Sequence, residues 1–272
     1  MSNPTPVPLV AVDVGNTRIK CGRFARGAPV SPHELPLPTA TSHLDDLLAP
    51  GEDLAVWLDR EGIDGAEAEW WIGSVHRAAA SRLVGYLRDQ LAATQITLLS
   101  AGDLPLEVQL PRPDLVGIDR LLAGLAAGRL RDNGQPTIVV DLGTAVTVDA
   151  VSAEGAFLGG AIMPGIGMTA RAFHEFTDLL PLVDMTELGH QPAALGTSTQ
   201  DAIRSGLFWG AVGGVRELVA RLRQGLERPS LVVLTGGAAP SVAKLLDPGA
   251  VFAPHLVLSG IAWAAGCGRE NE

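Results

Sequence analysis

The stretch LVAVDVGNTRIKCGRF, residues 9–24, runs apolar up to Asp13, gathers Gly15, Asn16 and Thr17, and turns apolar again at Ile19. A β-rich run that stops on turn residues and resumes reads as strand, tight turn, strand. TIVVDLGTAVTVDAV, residues 137–151, repeats the device: four apolar or β-branched residues, Asp141, an apolar residue, Gly143, then Thr144-Ala145 and more strand. Asp13 and Asp141 lie 128 positions apart (141 minus 13), close to half of the 272-residue chain. Self-similarity at that spacing predicts a duplicated domain, each half opening with the same hairpin. The helix stop and turn chemistry of Arg131 to Pro136 mark the linker, giving expected domains 1–133 and 134–272.

Outward from the hairpins, strands and helices alternate. Residues 70–75 read as a strand with Trp70 and Trp71 in the core, and 77–93 as an amphipathic helix with Leu83, Leu87 and Leu91 on one face. Residues 118–131 follow as a helix through Leu121, Leu122 and Leu125. In the second half 157–163 and 231–234 read as strands, the latter running into Thr235-Gly236-Gly237. A helix from Ser198 or Thr199 to about Arg223 is apolar on two sides, and so is covered twice, by its own domain or by a partner subunit. The fold class is α/β, the hairpins adding antiparallel pairs to each sheet. Residues 248–268 carry no formal charge, but prolines and glycines divide them into a short strand and a buried terminal helix rather than a membrane span.

Composition bounds the function. With 47% hydrophobic and 18% charged residues the chain has enough apolar surface to fold, and disorder is excluded. A net charge of -10 offers no overall field for nucleic acid or an anionic membrane, so an anionic substrate must be held locally. Cys21 and Cys267 are far apart and lack neighbours at metal-ligand spacing, which fits a reducing cytoplasm. The leading MSNPTPVP has no basic or apolar segment and reads as a tail, not a signal peptide.

The small-residue turns suggest phosphate chemistry. Glycine lets backbone N–H groups approach a ligand, successive N–H groups form an anion-binding concavity, and Asn or Thr adds donors. A carboxylate beside phosphates needs a cation between them, which Mg²⁺ supplies by bridging carboxylate and phosphate oxygens. Two independent hairpins need not share an aspartate and a glycine at matched positions with a small polar residue following, and a Gly-Gly turn follows a third strand. No G-x-x-x-x-G-K-[ST] occurs, and the only lysines are Lys20 and Lys244. Gly165 to Ala170 matches G-x-G-x-x-A, but Pro164 interrupts the preceding strand and no Asp or Glu ends a recognisable strand about 20 residues later. The six histidines are scattered.

Together, Asp-Val-Gly-Asn-Thr at 13–17, Val-Gly-Ile-Asp-Arg at 116–120, Asp-Leu-Gly-Thr-Ala at 141–145, Gly-Gly-Ala-Ile-Met-Pro-Gly at 159–165 and Thr-Gly-Gly at 235–237 resemble type III pantothenate kinase in order and spacing. The resemblance implies two ribonuclease-H-like domains of the acetate and sugar kinase, heat-shock chaperone and actin superfamily, with ATP in the cleft. It implies phosphorylation of pantothenate at its primary hydroxyl, the first step of coenzyme A synthesis, with Mg²⁺, a potassium or ammonium ion, and a cytoplasmic homodimer. Carried over, the ATP-phosphate segment is Asp13, Val14, Gly15, Asn16, Thr17, Arg18, Ile19 and Lys20, with Asp13 near Mg²⁺. Thr144 would touch ATP, and Gly236 and Gly237 would lie against adenosine. Asp119 would be the general base, while Gly117, Ile118, Asp119 and Arg120 hold pantothenate. Asp141 would bind the monovalent cation, and Thr199 would reach pantothenate in the other subunit's site. An acidic residue in a helix's first turn is also favoured by the helix dipole, so Asp119 has a compatible structural reading. Leu110 stands where the family usually has a pantothenate-contacting tyrosine, which leaves two alternatives: a nucleotide-binding regulator on the same scaffold, or a kinase for another small hydroxylated acceptor.

Overall fold

The computed structural model describes residues 7–26, 30–47, 49–185 and 191–268. Most of the expected N-terminal tail therefore lies outside the described residues. The chain packs as two compact units, Met1–Leu130 with His255–Glu272, and Arg131–Pro254.

In the first unit, β1 (Leu9–Val14) pairs antiparallel with β2 (Ile19–Phe24), which pairs with β3 (Ala40–Leu44). On its other side β1 runs parallel to β4 (Glu69–Ser74), and β4 to β5 (Ile96–Leu98), giving the order β3-β2-β1-β4-β5. Every residue of β1 is buried because both faces of the sheet are covered. Val10, Val12 and Val14 face α1 (Gly51–Glu61) and α2 (Arg77–Asp89) through Trp57, Leu83 and Leu87. The other face meets α3 (Ile118–Leu130) and α7 (Leu256–Ala264): a Cβ on Gly73 would touch Leu122 at 2.8 Å, and one on Gly22 would touch Leu258 at 3.2 Å.

Two expectations need correcting here. Helix α2 stops at Asp89, four residues short of 93, and Ala92 takes a left-handed φ of 54°. The terminal helix, expected with residues 134–272, packs with the first unit, where Gly260 lies against the backbone of Leu122 and the Arg129 guanidinium stacks over Trp263 at 4.1 Å. Helix α7 is apolar all round, so its sequence could not say which sheet it would cover. Trp70 is fully buried and Trp71, on the opposite face, only partly.

The second unit repeats the topology. β6 (Thr137–Leu142) and β7 (Ala145–Val151) form the hairpin, β8 (Phe157–Pro164) extends it, and β9 (Leu231–Thr235) and β10 (Val251–Phe252) run parallel to β6, in the order β10-β9-β6-β7-β8. The strand order by position in the repeat is that of the first unit. Here α5 (Thr199–Gln224), capped by the Ser198 hydroxyl accepting from Asp201 N–H, packs Phe208, Val212 and Val219 onto the sheet beside α6 (Ala239–Leu246). Its second apolar side, Ile203, Leu207 and Ala211, is covered within the same unit by α4 (Ile166–Phe176), Val183 and Met185.

Candidate active site

Asp13 ends β1 on the face that α3 and α7 cover. Strand register places Gly73, Asp13, Lys20 and His43 in line across β4, β1, β2 and β3. Lys20 Nζ lies 3.4 Å from the Asp13 carboxylate, whose residue is only 7% exposed. Burial pushes the Asp13 carboxyl above its ordinary range; Lys20 pulls it down and the nearby Asp119 pushes it up again. The β1–β2 turn closes with Gly15 N–H donating to the Arg18 carbonyl at 3.1 Å, leaving Asn16, Thr17 and Arg18 exposed.

Helices α3 and α7 run in the same sense, with Leu122 against Gly260 and Arg129 over Trp263. Asp119 at the start of α3 lies near Asp13 and His255 just before α7 lies near Lys20, so both N-terminal ends face the end of the sheet that carries Asp13, each with the partial positive charge of a helix start. Asp119 stands in the first turn of α3, and its Oδ1 accepts from Arg120 N–H at 2.8 Å. A Cβ on Gly117 would come within 2.6 Å of that oxygen, so the carboxylate folds back over a position only glycine leaves open.

Two residues absent from the motif reading join this corner. Burial, then Arg18 and Lys20, lowers the pKa of His43; burial and Lys20 lower that of His255, just before α7. Their signal lay in strand register and in the return of the chain's end, not in any local spacing. The corner thus gathers four basic side chains and two carboxylates, a pattern suited to an anion carrying a divalent cation. A cavity of about 870 Å³ lies away from this corner, between α1 and α2, while one of about 750 Å³ is lined by Gly117 and Ile118, next to Asp119, together with Ser74, Arg77 and Leu99. Leu110, half-buried, does not line the second cavity, whose wall on that side is Pro113 to Val116.

In the second unit, Asp141 ends β6 as Asp13 ends β1, with a buried Oδ1. Gly236, at φ +93°, closes over it so tightly that a Cβ would fall 2.5 Å from that oxygen, whereas Gly237 faces open space. Gly165 N–H donates to the carbonyl of Thr144 at 3.1 Å, tying the β6–β7 turn to the start of α4. Gly165 to Ala170 is accordingly the entry of α4. Thr199 is exposed at the start of α5.

The family model for type III pantothenate kinases matches residues 9–221, from the first strand to within the long helix. The chain belongs to the type III pantothenate kinase family. Type III pantothenate kinase of Chlorobium luteolum is 34% identical over 265 residues, covering 96% of this chain and 94% of that protein. That of Gluconobacter oxydans is 37% identical over 215 residues, 77% of this chain and 78% of its own. At the level of fold, the activator of the 2-hydroxyisocaproyl-CoA dehydratase from Clostridium difficile superposes with a TM-score of 0.54 at 12% identity, covering 95% of this chain and 94% of its own. The two five-stranded sheets repeat one topology, as the duplicated hairpins predicted, and the fold is the actin-like one that the family resemblance implied.

Proposed function

We propose that this protein phosphorylates pantothenate with ATP, giving 4'-phosphopantothenate and ADP in the first step of coenzyme A synthesis. The observation that carries the reading is the Asp119 carboxylate, held over Gly117 at the wall of a cavity, in a chain of the pantothenate kinase family. Asp119 takes the proton of the acceptor's primary hydroxyl. The hydroxyl oxygen bonds to the γ-phosphorus as the bond to the bridging oxygen of ADP breaks. Gly117, Ile118 and Arg120 hold the acceptor in reach. The turn from Asp13 to Lys20 binds phosphate through exposed backbone and Lys20, with Arg18 as a further cation. Thr144 contacts the nucleotide, and Gly236 and Gly237 leave room for adenosine.

ATP brings a divalent cation, and the donor set suits Mg²⁺. Asp13 and Asp119 offer hard oxygens whose mutual repulsion a cation relieves. Among the described residues no group of three or more acidic, His or Cys side chains could hold a metal, so the ion would depend on phosphate for its remaining ligands. Bound there, it would neutralise charge on the transferring group. The buried Asp141 oxygen suits a potassium or ammonium ion in the same way.

A homodimer is supported by the apolar surface of the second unit: Ile162, Phe173, Phe176, Leu179, Leu182 and Leu195 are between 38% and 86% exposed. Thr199 would then serve the partner's acceptor. Cytoplasmic placement is supported by two cysteines that are buried and unbridged; no helix among the described residues is long and apolar enough to cross a membrane.

An ADP-release assay with pantothenate, with and without potassium, tests the reading. Turnover that potassium stimulates and that Asp119→Asn lowers about 10²- to 10⁴-fold is expected. No turnover would favour a nucleotide-binding regulator, and turnover only with another hydroxylated acid or sugar would favour a different acceptor.

A further inference from the structure

The cavity at Gly117 also has a chemistry of its own. Val75, Leu99, Pro113 and Ile118 make it largely apolar, fitting the dimethyl-bearing half of pantothenate. Its polar groups are mostly spoken for. The Ser74 hydroxyl donates to the His76 carbonyl at 3.2 Å, and Ser100 bonds Asp103 through both N–H and Oγ. Asp114 is gripped by Arg112 in two bonds of 2.9 and 2.6 Å. Arg77, the first residue of α2, is the one cation that lines the cavity, and among the described residues it forms no ion pair.

Pantothenate presents a problem of charge. Its far end is a carboxylate, and it must settle beside Asp119 in a chain of net charge -10. An anion entering an acidic, largely apolar cavity loses hydration and requires a fixed cation, ideally a guanidinium that can grip both oxygens. Leu110, standing in for the usual phenol, contributes no polar contact to the cavity. We propose that Arg77 is a further specificity-determining residue of the acceptor site besides Arg120, pairing with the pantothenate carboxylate while the hydroxyl at the other end faces Asp119. This assignment rests on the function proposed above.

The test compares pantothenate with panthenol, in which an alcohol replaces the carboxylate and the reacting hydroxyl is retained. In Arg77→Gln, KM for pantothenate should rise about 10- to 100-fold, the loss of one charge-assisted pair. Because that contact is equal in ground and transition states, kcat should stay within about 2-fold. KM for panthenol and for ATP should not move, the wild-type preference for pantothenate should vanish, and Arg77→Lys should restore part of it. Arg77 is exposed, and equal melting temperatures will show that the variants are folded. Equal effects on both acceptors, or none on pantothenate, would overturn the Arg77 assignment and leave the kinase reading standing. Failure of the wild type to turn over pantothenate would overturn both.

Discussion

Replacing Gly117 by alanine probes the placement of Asp119 without touching its chemistry. The new methyl would lie 2.6 Å from Oδ1, against the 3.4 Å of an ordinary contact, so the oxygen must retreat by about 0.8 Å (3.4 minus 2.6). Retreat costs the 2.8 Å bond from Arg120 N–H, because the same oxygen accepts it. Gly117 is not at positive φ, so alanine fits its backbone and should stabilise the fold by about 0.4–1 kcal/mol through the unfolded chain. A misplacement near 1 Å at a reacting group costs about 10²-fold in rate. Steady-state ADP release should therefore show kcat reduced about 10²-fold in a protein that melts no lower than wild type. Combined with Asp119→Asn the change should add little, since both remove one function. Wild-type kcat in Gly117→Ala, or full additivity in the double variant, would refute the view that this carboxylate's position drives the reaction.

Asp13 should cost the nucleotide-free protein stability. Its pKa is raised by burial above the ordinary 3.8, so its contribution to stability is present below that value and lost as pH rises through the folded one. Asp13→Asn should therefore melt higher than wild type at pH 7, by on the order of 1 kcal/mol or about 2–4 °C, the gain shrinking towards pH 4, while activity is lost. A lower melting temperature at pH 7 would show that the Lys20 pair outweighs burial. Gly260→Ala should destabilise by about 1–3 kcal/mol in urea, because a Cβ would meet the Leu122 carbonyl oxygen at 2.2 Å and its carbon at 2.8 Å, backbone that cannot yield. A gain of about 1 kcal/mol, the ordinary helix preference for alanine, would mean that α7 does not press on α3.

What the sequence determined by itself was local. A continuous apolar run ending on Asp-x-Gly carries its own turn, so both hairpins, their repeat and the twofold α/β plan were legible, as were the helix start at Ser198 or Thr199 and the two-sided apolar pattern of α5. Asp13 and Asp141 stood out for the same reason, each near a strand end before a glycine turn, whereas Asp119 at a helix start drew its expected role from the family resemblance.

Tertiary structure decided what depends on chain segments meeting. Helix α7 has no polar face to orient it, and only packing against Leu122 assigns it to the first sheet. His43 and His255 reach Lys20 through strand register and through the return of that helix, contacts that no local spacing encodes. The cavity at Gly117 draws its walls from β4, α2, the segment after β5 and the start of α3, which places Arg77 in it and leaves Leu110 outside. Side-chain alternation and turn chemistry act over a few residues, whereas a pocket is the space left when distant elements have packed.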